Sequence, residues 1–357
     1  MNKDSPLVSV VMTVYSNEHY LRESIDSILA QSYTNFEFII VKEFGSDENT
    51  CQILAEYAAK DNRIKIIENL TKLGFAASLN RGIDEAKGKY IARMDGDDIS
   101  LPQRFKYQVA FMEKHPDVLV CGGRIKFLFM SKNHFANFLR NRVINYPRET
   151  KEIRNYILFS CPFAHPSVMF NREILNKNRL RYNENIQTED YELWSRIVFD
   201  HPVANMPKQL IRYRQHGGNA TATASSKVSE STNRIRACII KRFIPEYPHI
   251  HFNFEKSTGD SLSEIENILH SLYKEHTETF SDKKILRKFM NSKYQYYYYE
   301  CQKQKCCAEN HPIERYWSVF GDIYDPKRNR PPFFDKVFYS LYTVAYRIYH
   351  RVKGMCV

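Results

Sequence analysis

Asp95-Gly96-Asp97-Asp98 places three carboxylates within four residues, directly after the apolar-and-basic run Tyr90-Ile91-Ala92-Arg93-Met94. If that run is a strand, side chains two apart share a face, so Asp95 and Asp97 converge on one ligand. Carboxylates that close repel one another, and a bound divalent cation relieves the repulsion. Hard oxygen ligands suit Mg2+ or Mn2+, ions that commonly carry a diphosphate with them. A calcium loop is excluded, because its sixth and twelfth positions would be Ser100 and Lys106 where Gly and Glu are needed. Asp and Gly also form idle turns, and the context of the cluster has to decide between the two readings. A second acidic pair, Glu189-Asp190 after Thr188, opens a helical pattern, a place where the helix dipole favours carboxylates whatever their chemistry.

The elements that must position these groups alternate between strand and helix. Val8 to Tyr15 is a β-branched run of the kind buried on both faces of a parallel sheet. Leu21, Ile25, Ile28 and Leu29 recur at helical spacing and predict a helix ending near Gln31. Phe36 to Val41 is a second strand, Ile53, Leu54 and Tyr57 mark a second helix, and Arg63 to Glu68 is a third strand. Leu79, Ile83 and Ala86 mark a third helix, stopped by Gly88, and the fourth strand delivers Asp95 at its C-terminal end. Repeated β-α units specify a parallel sheet, and such sheets bind ligands beyond the carboxyl ends of their strands. Further on, extended segments are expected over Asp117–Phe129 (interrupted by Gly122 and Gly123), Ser167–Phe170 and Ile211–Arg214, with Cys161 to Pro166 as a rigid loop.

With 357 residues the chain is long enough for two domains, and its Lys+Arg 52 against Asp+Glu 41 gives a net charge of +11. That excess suits a phosphorylated substrate, an anionic membrane or nucleic acid, but no nucleic-acid-binding motif is visible, so nucleic acid is not expected as a partner. The polar start Met1 to Pro6 lacks the pattern of a secretory signal, and no apolar run approaches the roughly 20 residues of a spanning helix. A cytoplasmic location follows as the expectation, with the 8 cysteines reduced; the spacing of Cys301, Cys306, Cys307 and His311 matches no zinc site. Asn219 to Glu230, rich in Ala, Ser and Thr, is expected to separate a domain at 1–218 from a helical, basic, Tyr-rich region at 219–357. Phe338, Leu341, Val344, Ile348 and Val352 share one side of a helical pattern fringed by Lys336, Arg347, Arg351 and Lys353. Two readings are equal there: an interfacial helix on an anionic membrane, or a terminal helix packed on its domain.

The series Pro6-Leu7-Val8-Ser9-Val10-Val11-Met12-Thr13-Val14-Tyr15, Ser27 to Tyr33, Phe36 to Val41, Asn80-Arg81-Gly82-Ile83, Gly88 to Asp98 and Thr188 to Trp194 resembles the family 2 glycosyltransferases. The resemblance spans roughly residues 5 to 218. It implies an α/β GT-A fold, a mostly parallel sheet flanked by helices, here with a mainly α-helical C-terminal region. It implies a metal-dependent, inverting transfer from a nucleotide-sugar donor, most plausibly a UDP-sugar, to a glycan or lipid-linked glycan acceptor of bacterial surface polysaccharide, on the cytosolic side of the membrane and peripheral to it. By the same resemblance Thr13 and Tyr15 face the nucleotide, Arg81 belongs to its site, and Glu43 stands where the family carries a base-reading aspartate. Asp95 lies toward the ribose, Asp97 holds the metal with Asp98 in support, and His216 falls near the metal and phosphates. Asp190 matches the catalytic base, with Glu189 in reserve. Trp194 and Tyr191 are candidates to stack on a sugar face, although the core spacing of Trp194 favours packing for that residue, and His165 is placed in a loop near the acceptor.

Two other classes compete. A sugar-nucleotide nucleotidyltransferase would carry a Gly-rich basic loop after the first strand, where this chain has Ser16-Asn17-Glu18-His19. A non-catalytic sugar-nucleotide binding protein would keep the fold while altering the segment Lys42-Glu43-Phe44.

Overall fold

The computed structural model of the chain describes residues 5–16, 18–129, 141–216, 226–245, 268 and 271–280. The chain divides into two units, Met1–Leu286 and Arg287–Val357, and every described residue lies in the first. The tyrosine-rich segment, the cysteine cluster at 301–311 and the amphipathic pattern at 333–352 lie outside the described residues.

The first half follows the alternation of the sequence: β1 (Val8–Val14), α1 (Glu18–Leu29), β2 (Phe36–Lys42), α2 (Glu48–Lys60), β3 (Ile64–Glu68), α3 (Phe75–Glu85) and β4 (Tyr90–Asp95). These strands lie parallel in the order β3-β2-β1-β4, and β1 is buried along almost its whole length, as its β-branched run requires. Helix α3 packs so closely on the sheet that a Cβ at Gly82 would meet Val11 Cγ1 at 2.5 Å. Because β4 follows β3 in sequence but sits on the far side of β1, the strand order reverses between β1 and β4. That is the topological switch point where a crevice opens beyond the strand ends. Thr13 and Asp95 are register partners there.

The second half of the sheet departs from the parallel pattern. The later elements are β5 (Ile99–Ser100), α4 (Arg104–Lys114), β6 (Val120–Phe129), β7 (Val143–Ile144), α5 (Thr150–Tyr156), β8 (Met169–Asn171), α6 (Arg172–Lys177), α7 (Glu189–Ile197), β9 (Val203–Gln215) and α8 (Ser226–Phe243). Strand β8 runs antiparallel to both β4 and β6, and β9 is parallel to β6 but antiparallel to β5. The sheet therefore reads β3-β2-β1-β4-β8-β6-β9-β5. The register of β6 on β9 shifts at Gly123 and Arg124, next to the glycines expected to interrupt it. The last strand is longer than the four residues read from the sequence, since its register with β6 rather than its own apolar pattern sustains it. Helix α8 begins inside the Ser- and Thr-rich segment and packs on the second half, through Thr188 Oγ1–Ser231 Oγ at 2.7 Å and Arg236 Nη2 donating to the Phe159 carbonyl at 2.8 Å. Among the described residues no helix is long and apolar enough to cross a membrane.

Candidate active site

The acidic loop is the short link between β4 and β5. Asp95 ends β4, and Ile99, the first residue of β5, already pairs with Arg212 of β9. Folding the loop against β9 brings Arg214 and His216 to it. The Arg214 amide donates to Asp98 Oδ1 at 2.8 Å, its guanidinium Nε donates to the Asp97 carbonyl at 2.8 Å, and its far nitrogen pairs with Glu23 of α1. His216 Nε2 stands 2.9 Å from Asp97 Oδ2, and its ring rests on Tyr20, which also lies under the Arg214 guanidinium. Asp95 pairs with Arg93, a buried residue two positions earlier on the same face of β4.

Carboxylate oxygens of Asp95, Asp97 and Asp98 all lie within 4.8 Å of one another. Burial, the Asp97 charge and the Asp190 charge push Asp95 up to about 6 although Arg93 opposes them. Burial likewise lifts Asp98 well above the usual carboxylate range. Asp98 Oδ2 is buried and has no hydrogen-bond partner among the described residues. A close set of oxygen donors with one buried acceptor left over fits a divalent cation.

The second acidic group sits on α7. Glu189 and Asp190 occupy its first turn, where free backbone amides favour negative charge. Thr188 makes no side-chain cap, because its hydroxyl is taken by Ser231. Asp190 Oδ1 accepts from the Tyr191 amide at 2.7 Å, and Cys161 Sγ lies 3.7 Å from Oδ2. Glu189 Oε1 is 3.8 Å from His165 Nδ1, whose other nitrogen bonds the Tyr182 hydroxyl at 2.7 Å. Burial and the neighbouring Asp190 push Glu189 up to about 8; burial also raises Asp190. Burial, with Arg93 nearby, holds His165 well below the ordinary imidazole value, so that ring is neutral.

At the ends of β1 and β2 the expected donor residues separate. Tyr15 is 53% exposed just beyond β1, and Phe44 is 54% exposed beyond β2. Glu43 is turned inward instead. Its carboxylate accepts from the amides of Phe44, Leu73 and Gly74, from Asn69 Nδ2 and from the Ser78 hydroxyl, at 2.7–3.3 Å. Burial opposes its ionisation, but these donors outweigh it and leave the carboxyl below its usual range. Five donors fill the acceptor sites of one carboxylate, so Glu43 anchors the loop before α3 and has none to spare for a base. Gly74, at φ +90°, lets that loop turn its amide onto Glu43. Arg81 is similarly occupied, donating to the Glu68 carbonyl and to Asn69 Oδ1. Trp194 and Tyr191 are buried; Trp194 stacks on Phe170, and the Tyr191 hydroxyl donates to the Ile157 carbonyl.

Residues 9–179 match the profile of glycosyl transferase family 2. The O-antigen biosynthesis glycosyltransferase WbnJ of Escherichia coli is 32% identical over 255 residues, covering 70% of this chain and 96% of that protein. The chain belongs to glycosyltransferase family 2. Among solved structures, residues 1–349 of Staphylococcus aureus TarS, in complex with UDP-GlcNAc, superpose with a TM-score of 0.51 at 18% identity, covering 75% of this chain and 72% of that one. A mannosyltransferase from Pyrobaculum calidifontis, in complex with GDP-Man and Mn2+, gives 0.50 at 14% identity over 99% of this chain and 88% of that one. The fold of this glycosyltransferase is accordingly GT-A.

Sequence reasoning missed the residues that set the acidic loop of this glycosyltransferase. Arg93 carries a weak signal, a lone cation inside an otherwise apolar strand. Arg104 carries less: fully buried, it donates to the carbonyls of Arg93 and Val168, and burial lowers it to about 9. Arg214 and Cys161 carry none, because their partners lie 116 and 29 residues away in sequence.

Proposed function

We propose that this glycosyltransferase moves a sugar, with inversion, from a nucleotide-diphosphate donor of the UDP-sugar type to a hydroxyl of a glycan or lipid-linked glycan in surface polysaccharide synthesis. The observation that carries the reading is the partly buried acidic loop at the β1/β4 switch point, with the second acidic group close enough for Asp190 to raise Asp95. One group suits the donor and the other the acceptor. The relatives support the rest: O-antigen biosynthesis for WbnJ, and nucleotide-sugar complexes for the two solved structures.

Asp95, Asp97 and Asp98 would hold Mg2+ or Mn2+, with His216 placed to orient Asp97. A divalent cation there supplies positive charge for the diphosphate leaving group. Tyr15 and Thr13 line the donor crevice, and Glu43 and Arg81 fix the loops around it. Asp190 takes the proton of the acceptor hydroxyl as that oxygen forms its bond to the anomeric carbon. The bond from that carbon to the phosphate oxygen breaks, and the electron pair leaves with the nucleoside diphosphate. A raised carboxyl is suited to the task, since a base works best when its pKa approaches the working pH. Glu189, at about 8, stays protonated at neutral pH and leaves the negative charge to its neighbour.

Thermal stabilisation by UDP-, GDP- and CDP-sugars, with and without Mn2+, tests the donor and the metal together. Stabilisation by a UDP-sugar that disappears on chelation is expected; equal stabilisation without metal contradicts the cation site. Proton NMR of the product from an α-linked donor should show a β linkage. A retained α linkage overturns the inverting mechanism. Attachment to the membrane is tested by liposome flotation with and without residues 333–357, and unchanged flotation removes that segment from the reading.

A further inference from the structure

We propose that the Cys161 thiol is a positioning residue for Asp190, donating to Oδ2 while the carboxylate is charged and turning away to the Phe163 carbonyl once it has taken a proton. This rests on Asp190 being the base proposed above, and it assigns a part to a side chain that the motif series does not include.

The geometry has three parts. The Cys161 sulfur lies 3.3 Å from the Phe163 carbonyl oxygen and 3.7 Å from Asp190 Oδ2. A thiol has one proton, so it can serve only one of these acceptors at a time. Meanwhile Asp190 Oδ1 is fixed by the Tyr191 amide at 2.7 Å, which leaves Oδ2 as the oxygen facing its next proton. Among the described residues Cys161 is the side chain that bonds Oδ2. Burial and the Asp190 charge lift Cys161 well above the usual thiol range, so it remains a donor.

The charge of Asp190 decides between the two acceptors. A charged oxygen is roughly twice as good an acceptor as a neutral one, so an ionised Asp190 draws the S–H across the longer gap. A protonated Asp190 no longer outcompetes the nearer carbonyl, and the thiol rotates about a single bond to Phe163. The carboxylate is thus restrained in the state that must face an acceptor hydroxyl and released as it receives the proton. A thiol suits this part better than a hydroxyl. As the weaker donor it orients the anion without stabilising it so strongly that the base loses its basicity.

The groups facing Asp190 are Arg93 and Asp95 from β4, Glu189 and Tyr191 from its own turn, and Tyr146, Tyr182 and Cys161 from the loops. A test that isolates the thiol is infrared spectroscopy of the full-length protein, with no ligand needed. The Cys161 S–H stretch is identified by subtracting the spectrum of Cys161→Ala. We expect that band to move to lower frequency as pH rises from about 4 to 8 through the ionisation of a carboxyl, and to stay fixed in Asp190→Asn. The shift should persist in Glu189→Gln, which removes the other carboxyl of the turn. If Cys161→Ala does not fold, the parent-minus-Asp190→Asn difference yields the same band. A band that does not move with pH in the parent, or that moves equally in Asp190→Asn, overturns the proposal. Failure of the underlying reading looks different: full turnover of UDP-GlcNAc or GDP-mannose by Asp190→Asn overturns the base assignment whatever the band does. A pH–rate profile adds a readout that a purely structural role would not produce. Cys161→Ala should shift the acid limb upward and Cys161→Ser downward, whereas two shifts in the same direction contradict a donor role.

Discussion

The acidic loop after β4 and the acidic turn of α7 bury carboxylates around one crevice, yet their charge is met in different ways. In the loop, Arg93 and Arg214 are built in beside the acids, and a buried Asp98 oxygen still lacks a partner among the described residues. In the turn, Glu189 and Asp190 face a neutral His165 and a thiol, with no cationic side chain bonded to either among the described residues. Burying an anion costs several kcal/mol unless something compensates it. The loop offers a close set of oxygen donors, while the turn relies on protons, burial raising Glu189 to about 8 and lifting Asp190 as well. On the proposed function, one fold thereby separates binding of a leaving phosphate from acceptance of a proton, with the same residue type in both places.

The largest effect that could break this contrast comes from the proposed base. Asp190→Asn should lower transfer by about 10²–10⁴, the usual size of a general-base contribution, while Mn2+-dependent nucleotide binding survives. Steady-state rates and calorimetry on the same preparation check it, and a parallel loss of both would merge the two regions into one. Next is Asp97→Asn, which should weaken Mn2+ by roughly 100-fold, at or beyond the upper end of what losing an outer partner of a ligand costs. A titration showing unchanged metal affinity would remove Asp97 from the cation site. Replacing Arg214 by Met removes the clamp from the Asp97 carbonyl and Glu23. Its expected cost is about 2 kcal/mol, the scale of hydrogen bonds from a charged donor, read as a fall in the denaturant midpoint.

The smallest effect concerns pH. Glu189 is raised in the folded protein from 4.5 to about 8, so the unfolded chain loses its proton first as pH rises. Its contribution to stability is therefore complete below about 4.5 and is lost progressively up to about 8. Glu189→Gln keeps the neutral form at every pH. Its melting temperature relative to the parent should rise from pH 4.5 to 8, and a constant difference across that range would contradict the proton-held state of the turn.

Legibility followed the range of the interaction. The β-branched run of β1, the helical spacing of α3 and the placement of Asp95 at a strand end are local patterns, and the parallel half of the sheet came out as they require. The resemblance put Asp97 and His216 near one metal, but only the fold shows them in direct contact at 2.9 Å. Glu43 illustrates the limit from the other side. Its position matches a base reader, and only the folded loop of Leu73 and Gly74 shows its oxygens already filled. The antiparallel second half was hardest to read, because β8 has three residues and β5 two, too few for any period to show.

By itself the sequence determined the order of the early strands and helices, the chemistry available in Asp95-x-Asp97-Asp98 and Glu189-Asp190, and the family. Apolar periodicity and residue type act over a few positions, so they survive being read in one dimension. Tertiary structure alone decided which of those acids would be charged. A carboxylate's ionisation depends on what surrounds it in space, and here that means Arg93 beside Asp95, Arg214 reaching back from β9, and Cys161 set against Asp190.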